Sequence, residues 1–173
     1  MKITRVFGSL LVFAVAAASF AQTAITATVE GTRSGAFRGS DTRYDRRGAI
    51  AVRALSALAS VPVDNQTGLQ TGRRQFRPIT LYLDLDRSLP LFYNAFESNE
   101  ILRKVTIDFW QSEGASRKLF TIQLENASIS ALNLMHGIGQ DQQRTTVEVQ
   151  LRFERVDWIW NEAGGPQASA SIR

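Results

Sequence analysis

Thr145-Thr146-Val147-Glu148-Val149-Gln150-Leu151-Arg152-Phe153-Glu154-Arg155-Val156-Asp157-Trp158-Ile159-Trp160 is the stretch that decides the fold class. Val147, Val149, Leu151 and Phe153 alternate with Glu148, Gln150, Arg152 and Glu154. A period of two puts one face of a strand in a core and the other in water. The phase then slips. Val156, Trp158 and Trp160 continue the alternation one residue out of register, with Arg155 as the extra residue. Such a slip predicts a β-bulge, which lets a long strand bend and serve two sheets or turn a barrel corner.

The pattern recurs upstream. Phe120, Ile122 and Leu124 alternate with Thr121, Gln123 and Glu125, and Ala127 and Ile129 follow out of phase. This reads as one bent strand, or as two strands joined at Glu125-Asn126. Val105, Ile107 and Phe109 alternate with Lys104, Thr106 and Asp108, and Gln111 to Arg117, with Gly114 inside, reads as a hairpin loop. Ile79, Leu81, Leu83 and Leu85 form another alternating set, with Pro78 at its entry, where no ladder donor is lost. One helix interrupts the strands. Ser88 is the expected N-cap, and Pro90 falls in the first turn, where its missing N–H costs nothing. Leu91, Phe92, Ala95 and Phe96 share one face. Leu91, Phe92 and Phe96 are expected to anchor the helix, which should end near Ser98-Asn99. A helix of about three turns is not stable alone and must dock on the sheets.

The first half is less decisive. Ala24 to Glu30 alternates weakly and reads as a strand. Gly48 to Ser60 mixes Ile50, Val52, Leu55 and Leu58 with alanines, so that helix and strand both fit. Val63 to Gly72 reads as a loop. Asn161 to Arg173, rich in Gly, Ala and Ser, reads as a flexible tail.

Residues 1–21 have the layout of a secretory signal peptide. Lys2 and Arg5 precede an uncharged apolar run from Val6 to Ala18, and Ser19-Phe20-Ala21 supplies small residues for cleavage after Ala21. That run is shorter than the roughly 20 residues of a spanning helix. No later segment is long and apolar enough to span, so the mature chain is expected to have no membrane span. Residues 22–160 are expected to form one domain and residues 161–173 the tail. The absence of Cys removes disulfides and thiolate metal sites. The 173-residue chain carries 20 basic and 16 acidic residues. Without Lys2 and Arg5 the balance is 18 to 16, a weak signal for nucleic acid. Arg33, Arg38, Arg43, Arg46 and Arg47 cluster between Gly31 and Gly48, interrupted by Asp41 and Asp45. Mixed charge among Gly and Ser favours a solvated, mobile loop over a dedicated anionic site.

The residues assign no catalytic, cofactor-binding or metal site. His136 is the only histidine and has no G-x-S-x-G elbow beside its Ser and Asp candidates. It reads as structural or exposed, because a lone His lacks the partners of a metal or triad site. No P-loop or nucleotide fingerprint occurs. Asp84 and Asp86 are a spaced carboxylate pair, read as solvation plus help at the helix N-terminus rather than as a glycosidase pair. Asn65-Gln66-Thr67 and Asn126-Ala127-Ser128 match the glycosylation sequon, a pattern frequent by chance. Trp110, Trp158 and Trp160 lie on strands, where large rings fill a core or an interface, and they lack the basic-aromatic pattern of a nucleic-acid face. An exported hydrolase is therefore disfavoured.

The serial order of these segments resembles the haemolysin-coregulated protein family, whose members build the inner tube of type VI secretion machines. The resemblance rests on Phe76-Arg77-Pro78-Ile79-Thr80, on Asp86-Arg87-Ser88-Leu89-Pro90-Leu91, and on Val105 to Trp110 with Gly114 following. Phe120-Thr121-Ile122-Gln123-Leu124, Ser128-Ile129-Ser130 and Thr145 to Trp160 complete it. Ile25 to Gly31 resembles the family's first strand. Gly48 to Ser60 falls where the family has its second, which turns that segment toward strand. The chain departs from the family at Ala54 to Ala59, at residues 31–48 and in its signal peptide. The resemblance implies a mainly β fold, a compact antiparallel β-barrel of two sheets with one packed α-helix. It implies no cofactor and no catalysis. It implies a homo-oligomeric ring, hexameric in the family, that stacks into a tube, carries small effectors and meets secretion-machine components. The alternative is an exported, monomeric β-barrel binding module that kept the fold and lost the assembly. The signal peptide points to a secreted or periplasmic protein, and cytoplasmic assembly would follow only from a different translation start.

Overall fold

The computed structural model describes residues 23–111, 116–137, 144–162 and 165–172. The expected signal peptide, with its cleavage point, lies outside the described residues, as does Gly114 of the expected hairpin loop. In chain order the elements are β1 (Thr23–Gly31), β2 (Gly35–Phe37), a 3₁₀ turn (Tyr44–Arg46), β3 (Ile50–Ser56), β4 (Ala59–Ser60), β5 (Gln75–Phe76) and β6 (Ile79–Asp84). The helix α1 (Leu89–Glu97) follows, then β7 (Leu102–Gln111), β8 (Arg117–His136), β9 (Thr145–Arg152), β10 (Arg155–Glu162) and β11 (Gly165–Ile172). Gly48 to Ser60 thus carries two strands, β3 and β4. Val63 to Gly72 is a loop closed by the Val63–Gln70 bridge and by backbone bonds such as Thr71 N to Pro62 O at 3.0 Å.

Every strand pairing is antiparallel. The order β8-β7-β1-β3-β6-β9 returns to β8, so these strands close into a barrel-like ring. Closure leaves no free edge around the ring to template aggregation. β4 and β5 form a separate two-stranded sheet. The barrel closes because β8 is long and bent. Its first part pairs with β7, from Leu102↔Ala127 to Gln111↔Arg117. Its second part pairs with β9, from Ser128↔Arg152 to His136↔Thr145. Asn126 sits at the corner with φ of 50°. Its Nδ2 donates to Glu154 Oε2 at 2.8 Å, and the Glu154 N–H donates to Glu125 O at 3.2 Å.

The expected bulge at Arg155 is a full interruption. Phe153 and Glu154 separate β9 from β10, because they face the Asn126 corner and must turn with it. β9 stays in the ring, while β10 runs beside the first part of β8, from Arg155↔Glu125 to Trp160↔Phe120. The tail expected to be flexible is corrected. Residues 165–172 are β11, paired with β10 from Val156↔Ile172 to Glu162↔Gly165. β10 presents an unpaired ladder edge, and backbone hydrogen bonds fill it whatever the side chains are.

The alternating apolar sets converge inside. Ile79, Leu81, Leu83, Val105, Ile107, Ile122, Leu124, Val147, Val149, Leu151 and Val156 are all buried. Leu85, beyond the end of β6, is exposed instead. α1 packs against β8 and inserts Phe92, 1% exposed, whose ring meets Phe37 edge-on at 5.1 Å. Ala95 is buried and Leu91 half-buried, but Phe96 is 42% exposed, so it is not the expected anchor. Ser88 occupies the N-cap position without a capping side-chain bond; its backbone N–H donates to Asp86 Oδ1 at 2.8 Å. At the other end Glu100 N donates to Ala95 O at 2.8 Å and Asn99 N to Phe96 O at 3.2 Å, with Asn99 at φ 47°. This Schellman arrangement ends the helix where Ser98-Asn99 predicted.

Candidate functional site

The candidate catalytic groups do not converge. His136 is exposed, and its Nδ1 lies 2.9 Å from Thr145 Oγ1 of the opposite strand. Asp84 and Asp86 diverge. Asp84 pairs with Arg53 and with Arg144. Asp86 accepts from the Ser88 N–H and, through Oδ2, from the Ser40 N–H at 2.8 Å and the Ser40 hydroxyl. Burial pushes the Asp86 carboxyl up, but the bonds from Ser40 and Ser88 outweigh it and hold the group below its ordinary range. Among the described residues no group of three His, Asp or Glu could hold a metal ion.

What the fold does organise is the arginine-bearing segment. Gly39 N donates to Gly48 O at 2.8 Å, and Gly48 N to Asp41 O at 2.7 Å, so the segment folds back on itself. A Cβ at Gly39 would collide with the Ala49 carbonyl, so this close pairing requires glycine. Arg43 is held by Asp41 at 2.6 Å. Arg46 is 8% exposed, and its guanidinium lies 4.9 Å from the centroid of Trp110. Lys118 Nζ lies 5.1 Å from the same ring. The expected mobile loop is therefore docked on the barrel wall by a cation–π contact. Sequence reasoning missed it because Trp110 lies far along the chain, and nothing local separates Arg46 from Arg43 or Arg47.

Beneath the loop the wall is polar and hydrogen-bonded. Trp110 Nε1 donates to Thr26 Oγ1 at 2.8 Å. Asp108 accepts from Thr121 Oγ1 at 2.7 Å and pairs with Lys118 at 2.8 Å. Asn161 Nδ2 donates to Thr121 Oγ1 at 2.9 Å. Of the three tryptophans, Trp110 belongs to this wall, while Trp158 stacks on Phe120 with centroids 6.1 Å apart. Trp160 is exposed beside the same Phe120.

A second carboxylate organises the turn before β2. Glu100 is 2% exposed. Its Oε1 accepts from the backbone N–H groups of Arg33 at 2.6 Å and Ser34 at 2.7 Å, and its Oε2 from Ser34 Oγ at 2.6 Å. Burial raises its pKa, yet the Ser34 and Arg33 donors prevail and lower it. The role is structural, since both carboxylate oxygens are bonded to the Arg33-Ser34 turn.

Two of the clefts among the described residues differ sharply in character. One of about 720 Å³ is lined by Thr28, Glu30, Arg38, Arg47, Gly48 and Arg87, among others. The other, about 130 Å³ and apolar, lies between Leu58, Phe76, Ile79, Phe153 and Trp158.

Comparison with known proteins gives concordant results. A family model described as "Type VI secretion system effector, Hcp" matches residues 26–160. The chain is similar to the major exported protein of Pseudomonas aeruginosa, at 26% identity over 160 residues, covering 86% of this chain and 92% of that protein. Among solved structures it is similar to an Hcp protein at 25% identity and a TM-score of 0.76, over 88% of this chain and 99% of that one. The fold also matches Hcp1 from E. coli EAEC 042, with a TM-score of 0.75 and 24% identity over 86% of this chain and 97% of that one. The secreted protein Hcp3 from Pseudomonas aeruginosa matches with a TM-score of 0.67 and 18% identity, over 86% and 97% of the two chains.

Proposed function

The chain belongs to the Hcp family of type VI secretion, and from that premise we propose that it is a non-catalytic structural protein that assembles into six-membered rings. The carrying observation is that the family match over residues 26–160 spans the closed barrel from β1 to β10. The rings stack head to tail into a tube whose channel carries small effectors, and the tube meets components of a secretion machine. Head-to-tail contacts close into a ring when the rotation per subunit fits, and identical rings then stack. The fold supports this reading because a rigid closed barrel holds its docked loops in fixed positions against a neighbour.

The protein acts outside the cytoplasm. Residues 1–21 direct export and are removed after Ala21, leaving residues 22–160 as the barrel domain with the β10–β11 hairpin completing it. The similarity to an exported protein supports this reading. Mass spectrometry of protein recovered from the periplasm or medium should show Gln22 at the N-terminus; an intact Met1 there overturns the cleavage.

Assembly is tested on the mature, untagged protein by light scattering across a concentration series, followed by particle imaging. Six-fold rings are the expected result. A persistent monomer overturns the ring and leaves an exported binding module built on the same barrel.

A further inference from the structure

The larger cleft has an electrostatic imbalance that the fold does not resolve. Arg38, Arg47 and Arg87 line it together, against one carboxylate, Glu30. Glu30 is itself engaged by Arg103 at 3.1 Å. Arg87 is fixed in place: its Nε and Nη2 both donate to Gly39 O, at 2.8 and 2.5 Å, so that edge of its guanidinium is already occupied. Arg38 and Arg47 are exposed, and among the described residues their guanidinia have no hydrogen-bond or ion-pair partner. The Gly39–Gly48 backbone bond brings their two stretches of chain side by side. Arg46, the residue before Arg47, does not line this cleft; its guanidinium is turned onto Trp110. Asp45, 3.4 Å from its Nε, pairs with that charge, so the uncompensated cations of the cleft are Arg38 and Arg47. Arginines converging on one cleft repel one another, and a rigid loop that holds them there stabilises an anion placed between them.

We propose that this cleft is a binding site for an oxyanion, a carboxylate or phosphate group, held by the guanidinia of Arg38 and Arg47, with the fixed charge of Arg87 beside them. The planar donor fork of Arg matches both groups, and a cleft of about 720 Å³ admits a group carried on a larger molecule. Thr28 of β1 also lines the cleft and adds a hydroxyl. The site does not depend on ring formation. A monomer that binds the anion refutes the ring and leaves the cleft standing.

The test is NMR of the full mature chain, following the arginine Nε–H resonances during titration with inorganic phosphate. Ionic strength is held constant with sodium chloride. Saturable shifts of Arg38 and Arg47 are expected, while the Arg87 Nε–H stays bonded to Gly39 O. Arg47→Gln should weaken phosphate binding about tenfold or more, the loss of one charged hydrogen-bond donor. Arg74→Gln, which removes the same charge from the loop before β5, should leave it unchanged. No saturable shift, or equal weakening in the two variants, overturns the site. A second arm separates the sources. If the same resonances move when the protein is concentrated in chloride alone, and phosphate reverses the movement, the oxyanion is a carboxylate of a second copy. If they move only with phosphate, the ligand is a free or foreign anion.

Discussion

At the scale of the residue, two phenylalanines one helical turn apart have opposite fates. Phe92 is buried against Phe37, whereas Phe96 stands 42% exposed in the last turn of α1. Phe92→Ala should therefore cost roughly 3–5 kcal/mol, the range for a fully buried Phe. Phe96→Ala should stay within about 1 kcal/mol, as for exposed positions. Paired urea melts check both, and equal losses would show that the helix seats differently. Glu100 gives a pH signature. Its pKa is lowered in the folded state, so the unfolded chain binds the proton first as pH falls. Its contribution is complete above roughly pH 4–5, the unfolded carboxyl range, and is lost as pH falls through the folded value. Glu100→Gln should flatten the acid side of the stability profile while leaving its shape near neutrality. A profile whose acid slope is unchanged in the variant would remove Glu100 from that role.

At the scale of the element, the β8 corner governs the barrel. Asn126 takes a left-handed conformation that a β-branched side chain resists, and its amide holds Glu154 across the turn. Asn126→Val should destabilise by about 1–3 kcal/mol, and Asn126→Gly should retain most of the stability. Thermal melts of the two variants decide it; a valine as stable as the glycine would mean that the corner relaxes freely. The slip at Arg155 was legible as a disturbance, but its meaning was not. A one-residue phase change looks the same whether a strand bulges or breaks. Here the break follows from Asn126 on the neighbouring strand. The β11 strand was illegible for a different reason. Its small residues carry no apolar period, and what orders them is the open edge of β10.

At the scale of the whole molecule, ring closure makes the strands interdependent. β8 and β9 complete a ladder that also needs β1, β3, β6 and β7. The barrel should unfold in one transition, with far-ultraviolet dichroism and tryptophan fluorescence coinciding. The fluorescence is informative because Trp110 sits in the wall and Trp158 against Phe120, on different strands. Separated midpoints would show that the β10–β11 hairpin melts apart from the ring. Several carboxylates, those of Asp41, Asp86 and Glu100 among them, have lowered pKa values, so the whole fold should weaken in acid in the same sense.

The sequence by itself determined that residues 79–152 are strands interrupted by one helix, and it determined most of the inward-facing apolar set, Leu85 and Phe96 excepted. Period-two alternation and helix-end chemistry are local, and each can be read from a few neighbours. It also carried the family resemblance through the order of those segments. Only the tertiary structure decided that Arg46 is buried on Trp110, that Phe96 is left outside and that the C-terminal residues form a strand. Only it showed that Arg38, Arg47 and Arg87 line one cleft. Each of these depends on a partner distant in the chain, and burial, edge pairing and charge convergence come into being only when the ring has closed.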